Sequence, residues 1–159
     1  MNAADILKYG HLFVLGTIET LPDGEWETPN VCGVWSAKQI IAHLTSFEHL
    51  LKEVLRTIQG DEPGPYMLRM AESPQGFNDY EVGSRDGKSA KSVLFEYAEW
   101  QAHNVVLLSE IPAGLLPKVG TMPWYGNEYS LDDYIVYSFY GHKREHMAQI
   151  NVFKDTLGL

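Results

Sequence analysis

The chain has little of what several function classes require. A single cysteine, Cys32, excludes an internal disulfide framework and fits a reducing cytoplasm, the expected compartment. Cations are scarce: 12 Lys and Arg stand against 21 Asp and Glu, for a formal net charge of -9. Nucleic-acid binding rests on basic side chains neutralising phosphates, and Lys143-Arg144 is a pair, not a patch, so no nucleic-acid partner is expected. No apolar run is long enough to cross a bilayer. Asp5 and Lys8 interrupt the first helical turns, where a secretory signal would be apolar, so no membrane partner and no export are expected. No stretch reads as a long strand. What remains is a globular composition, 45% hydrophobic and 21% charged over 159 residues, which is one domain by length.

Hydrophobic periodicity predicts four substantial helices. The first runs from Ala3 to about Thr20, with Ile6, Tyr9, Phe13 and Thr17 on one face and Leu7, Leu12 and Leu15 widening it; Leu21-Pro-Asp-Gly24 ends it. The second opens at Ser36, an N-cap with Gln39 placed to close a capping box. Its stripe is Ile40, His43, Leu44, Phe47, Leu50, Leu51, Val54 and Ile58, with His49 off the stripe and facing solvent. Gln59 to Lys88, rich in Gly and Pro, reads as a long irregular segment anchored by Phe77-Asn-Asp-Tyr80 and packing over something as a lid or binding loop. Ser89 caps a third helix to about Glu110, its inner face Val93, Tyr97, Trp100, Asn104, Leu107 and Leu108. A second loop, Gly114 to Tyr129, has the turn chemistry of a short hairpin. The last helix opens at Ser130, with Asp133 in capping-box position, and runs to Leu157. Its inner stripe is Leu131, Ile135, Ser138, His142, His146, Gln149, Ile150 and Phe153. An all-α fold, a four-helix bundle with long loops between helices two and three and between three and four, is the economical architecture.

The polar residues on these dry faces carry the chemistry. His142 and His146 are one helical turn apart, so their rings lie one above the other. His43 sits mid-stripe on another helix. Burying an imidazole without partners costs about 1–3 kcal/mol, and adjacent buried rings repel if both are protonated. Three inward imidazoles on two helices are most simply ligands of one divalent ion, each neutral ring offering a lone pair. Three His ligands leave coordination positions open, as catalytic sites do. Imidazole suits Zn, Ni, Cu and Fe, with Zn or Ni the first choices here. Glu145 lies off the face that carries His142 and His146, so His-Lys-Arg-Glu-His is not a zincin protease signature. His11 and His103 fall at the borders of their helical faces and are assigned no ligand role; Cys32 reads as an inert small residue, and Glu48, Asp79 and Asp133 as solvated or capping carboxylates.

Gly33-Val-Trp-Ser-Ala-Lys-Gln-Ile-Ile-Ala-His43-Leu44 resembles the second-helix motif of the DinB-like superfamily, and His142-x-x-x-His146-Met-Ala-Gln-Ile150 resembles its last-helix motif. Phe77-Asn78 in the central segment and the spacing between helices extend the resemblance over most of the chain. It implies an up-down-down-up four-helix bundle that binds a divalent metal through three histidines, here His43, His142 and His146. Similar proteins include thiol transferases that use low-molecular-weight thiols, an isomerase of that thiol dependence and a few hydrolases, and dimers are common among them.

The leading functional expectation is therefore a divalent-metal enzyme acting on a small molecule: an S-transferase that uses a low-molecular-weight thiol against small electrophiles, or a hydrolase that activates water. Trp35, Phe77, Trp100, Trp124 and Tyr140 are candidates for the pocket walls, and no catalytic acid or base is assigned. The alternatives are a non-catalytic metal- or small-ligand-binding stress protein and a helical dimerisation module with structural histidines. A homodimer is the expected assembly.

Overall fold

Serine sets where most of the helices begin. In the computed structural model, which describes residues 3–159, Ser36, Ser73, Ser89 and Ser130 each accept a hydrogen bond from a backbone amide in the first turn of the helix that follows. At Ser36 and Ser130 the third helical residue, Gln39 or Asp133, returns the bond and closes a capping box. The resulting helices are α1 (Ala3–Ile18), α2 (Ala37–Ile58), α3 (Pro65–Glu72), α4 (Pro74–Gly83), α5 (Ala90–Glu110), α6 (Leu131–Val136) and α7 (His142–Thr156). A π-helical segment, Tyr137–Gly141, joins the last two into one continuous rod. The fold is all-helical. The only strand-like pairing among the described residues is an isolated bridge between Cys32 and Trp35.

The segment from Gln59 to Lys88, expected to be irregular, holds α3 and α4. Its prolines start helices: Pro65 and Pro74 each open one, where a missing N–H and a fixed φ do no harm. Gly64 offers no side-chain cap to α3, and Glu53 of α2 takes that role by accepting the Met67 amide at 2.9 Å. Buried Arg85 binds Glu81 and Glu96, which ties the end of α4 to α5. The hairpin expected within Gly114 to Tyr129 is absent: a single 3-10 turn at Ala113–Leu115 and hydrogen-bonded turns replace it, with Met122 driven into the core.

Two faces differ from the periodicity reading. On α1 the buried residues are Ala3, Leu7, Gly10, Val14, Thr17 and Ile18, while Tyr9 and Phe13 are 56% and 40% exposed. Apolar residues occur all round this helix, so the pattern alone did not single out the side that Gly10 allows to approach its neighbour. On α5 Gln101 takes the buried place expected of Trp100.

The apolar interior falls into two clusters. One gathers Leu7 of α1, Leu51 and Leu55 of α2, Leu108 of α5 and Leu131 and Ile135 of α6. The other gathers Val14 of α1, Ile40, Ile41 and Leu44 of α2, Val93 and Tyr97 of α5 and Met147 and Ile150 of α7. Between them along every long helix lies a polar step: Gly10 and His11 on α1, Glu48 on α2, Gln101 and Asn104 on α5, Lys143 on α7. Lys143 donates to Glu48 at 2.6 Å, and Asn104 donates to the other Glu48 oxygen at 2.8 Å and to the Glu48 carbonyl at 2.9 Å. Glu48, expected to be solvated, has no exposed surface, and Lys143 is 1% exposed. Burial alone would lower the Lys143 ammonium; Glu48 and then Tyr97 outweigh it and hold the group at about 12.

Candidate metal centre

His43 projects from the first half of α2, and His142 and His146 from the first two turns of α7. The Nε2 atoms of His43 and His142 are 3.0 Å apart, as are those of His146 and His142. One nitrogen from each ring lies within 4.8 Å of the others, so the three could hold a metal ion. The rings stand edge to face, with interplanar angles of 86° between His43 and His142 and 61° between His142 and His146.

This arrangement fits a cation better than it fits protons. The His142 Nε2 atom has one in-plane lone pair, which cannot accept good hydrogen bonds from two neighbours at once. Zn–N bonds of about 2.0–2.1 Å at tetrahedral angles would place ligand nitrogens roughly 3.3 Å apart, close to the spacing here. The opposite ring nitrogen of His146 supports this tautomer. His146 Nδ1 donates to Gln149 Oε1 at 2.8 Å, which leaves its Nε2 lone pair for the centre. His43 Nδ1 and Asn78 Oδ1 are both buried and short of a hydrogen-bond partner, and Asn78 is the side chain that favours a charged His43 ring.

Electrostatics keep the rings neutral. Burial, then the neighbouring His142 and His146, push His43 down to about 2. Burial and then His146 push His142 down to about 4, opposed by the Ser138 backbone carbonyl. Burial lowers His146 as well, opposed by Gln149 and Glu145. Neutral imidazoles are what a divalent ion needs.

Aromatic rings wall the site. Trp35 packs on His43 at 5.0 Å, and Phe47 lies 4.9 Å from His43 and 4.6 Å from His142. Phe77, 1% exposed on α4, backs Phe47 at 6.0 Å, so the central segment does pack over the site. Trp35 owes its place to a tight turn: Gly33 at φ 57° lets the chain reverse so that Cys32 and Trp35 exchange backbone hydrogen bonds. The same turn brings Cys32 to the Gln149 side chain that orients His146, with burial raising the thiol. Other wall candidates lie elsewhere: Trp100 packs against His49 and His103, Trp124 against Tyr125 and Tyr134, and Tyr140 beneath Arg144.

The remaining histidines stay apart from the centre. His49 is not solvated as expected; it bonds Glu96 at 3.0 Å and stacks on Tyr66 at 4.7 Å, which pins α3 against α2 and α5. His11 is half-buried beside Tyr97, and His103 is exposed. Sequence reasoning missed Glu48 and Lys143. Glu48 lies four residues after Leu44 and three before Leu51, on the apolar stripe, and that position was its signal.

An all-helical chain that gathers three neutral imidazoles at one aromatic-walled point defines a class of helical proteins with a candidate metal centre. A sequence profile of the DinB superfamily matches residues 14–150, a span that contains His43, His142 and His146. The chain belongs to the DinB superfamily. No curated protein and no solved structure gives a significant match to it.

Proposed function

We propose that this protein is a divalent-metal enzyme of small-molecule chemistry, with His43, His142 and His146 as the ligands of one ion. The observation that carries the reading is the convergence of three neutral Nε2 atoms on one point. A bound divalent ion supplies Lewis acidity, lowering the pKa of a thiol or water that reaches it. The group of candidate ligands has three members, so a fourth position is left for that thiol or water. The chain's own part is to hold the rings neutral by burial, to orient His146 through Gln149, and to exclude bulk water with Trp35, Phe47 and Phe77. These apolar walls favour a substrate with a hydrophobic body, and thiol transfer to a small electrophile is preferred over hydrolysis.

The same reading takes α1, α2, α5 and the α6–α7 rod as an up-down-down-up bundle. Its support is that the first halves of α1 and the rod share one apolar cluster with the second halves of α2 and α5. Co2+ loading tests the function. An open position predicts that the visible Co2+ bands shift when a small thiol is added. A spectrum indifferent to thiols and to other small anions would refute an open catalytic position.

A further inference from the structure

We propose that the π-helical segment Tyr137–Gly141 is the alignment element of the three-histidine site, held in place by Gly10 and by the buried Glu48–Lys143 pair. The inference rests on the metal-site reading above and concerns what sets its geometry. An α-helix turns about 100° per residue, so the extra residue absorbed by a π segment rotates everything downstream relative to everything upstream. Upstream the core is filled by Leu131, Tyr134 and Ile135; downstream it is filled by Phe139, Lys143, Met147 and Ile150. An uninterrupted α-helix from Ile135 would carry the core through Ser138 and His142 instead. The π segment moves the buried stripe on by one residue, and His142 then stands beside that stripe where it meets His43 of α2.

Two features hold this turn. A Cβ on Gly10 would lie 2.3 Å from the Phe139 carbonyl oxygen, so only glycine lets α1 seat against the π segment. One residue past His142, Lys143 donates to Glu48 at 2.6 Å and lies 5.1 Å from the Tyr97 ring centroid. Glu48 is on α2, five residues after His43, so this single ion pair joins the two ligand-bearing helices next to the site. Both Glu48 oxygens are engaged, by Lys143 and Asn104, and the carboxylate has no exposed surface. With both oxygens bonded and no access for a substrate, its role is positional. A buried polar contact that fixes register is the best-attested use of such a pair.

The test is Co2+ titration, followed by visible absorption, on the whole chain. Wild type is compared with Gly10→Ala, with the paired variant Glu48→Gln/Lys143→Met, and with Gly16→Ala. Gly16 is on the same helix, where an added Cβ meets nothing within 4 Å. Circular dichroism checks that each variant is folded. Gly10→Ala and the paired variant should bind Co2+ about tenfold or more weakly, with altered bands, while Gly16→Ala matches wild type. Folded variants with wild-type affinity and spectrum would overturn the proposal. If Gly10→Ala fails to fold, the paired variant decides, because α1 is untouched in it. A wild type that takes up no Co2+ refutes the metal-site reading itself, a result distinct from retained affinity in the variants.

Discussion

Replacing Lys143 by methionine isolates the energetics of the polar layer between the two apolar clusters. Methionine keeps much of the aliphatic stem, so the change removes mainly the ammonium, which lies over the Tyr97 and Phe139 rings. Glu48 is then left fully buried with Asn104 as its one side-chain partner. Breaking a buried pair from one side costs about 3–5 kcal/mol, because the surviving charge is uncompensated. Against a total of about 5–15 kcal/mol for a folded domain, that is a large share. With a urea dependence of about 1–3 kcal/mol per molar, the unfolding midpoint of the metal-free protein should fall by at least ~1 M at pH 7. Adding Glu48→Gln to Lys143→Met should recover most of the loss, since the stranded charge is gone. The assay is a urea double-mutant cycle followed by circular dichroism. A single-variant loss of less than about 1 kcal/mol, the worth of a solvated pair, would refute the reasoning. So would a double variant less stable than the single one.

Further outcomes follow from the site. Gln149→Leu removes the acceptor that orients His146, so divalent-metal affinity measured by competition with a chromophoric chelator should drop about 10–100-fold, with helical content unchanged. The metal-free protein should lose stability on acidification. Above pH 6.5 the buried rings are neutral in both folded and unfolded states and contribute no pH dependence. Below it the unfolded chain takes up protons that the folded chain refuses, down to about 4 at His142 and about 2 at His43. The loss is about 1.4 kcal/mol per proton per pH unit, read as a falling urea midpoint, and a flat profile between pH 6.5 and 4 would contradict the assigned burial. Ser130→Ala, which opens the capping box of α6, should cost about 1 kcal/mol in the same assay.

What the sequence made legible was set by local chemistry. Ser36 with Gln39, and Ser130 with Asp133, announce helix starts because the reciprocal bonds need only residues three apart. His43, His142 and His146 stand out because a polar ring on an apolar stripe is an anomaly visible without coordinates. The misses came from long-range terms. Pro65 and Pro74 punctuate a loop as readily as they start a helix, and the choice depended on Glu53 capping α3 from another helix. Lys143 looks like an ordinary surface charge and Glu48 like a misplaced one on an apolar stripe, and only their meeting across the core makes both burials tolerable. The π segment is invisible to a fixed 3.6-residue period, which is why the inner stripe of the last helix was read through Ser138 and His142 in place of Phe139 and Lys143.

Elemental analysis of untagged protein, wild type beside His43→Ala, tests the central claim most directly. The account predicts near one divalent ion per wild-type chain and loss of that ion in the variant, with the helical signal retained. Wild type that stays metal-free after incubation with Zn2+ or Ni2+, or a variant that keeps the full complement, would contradict it.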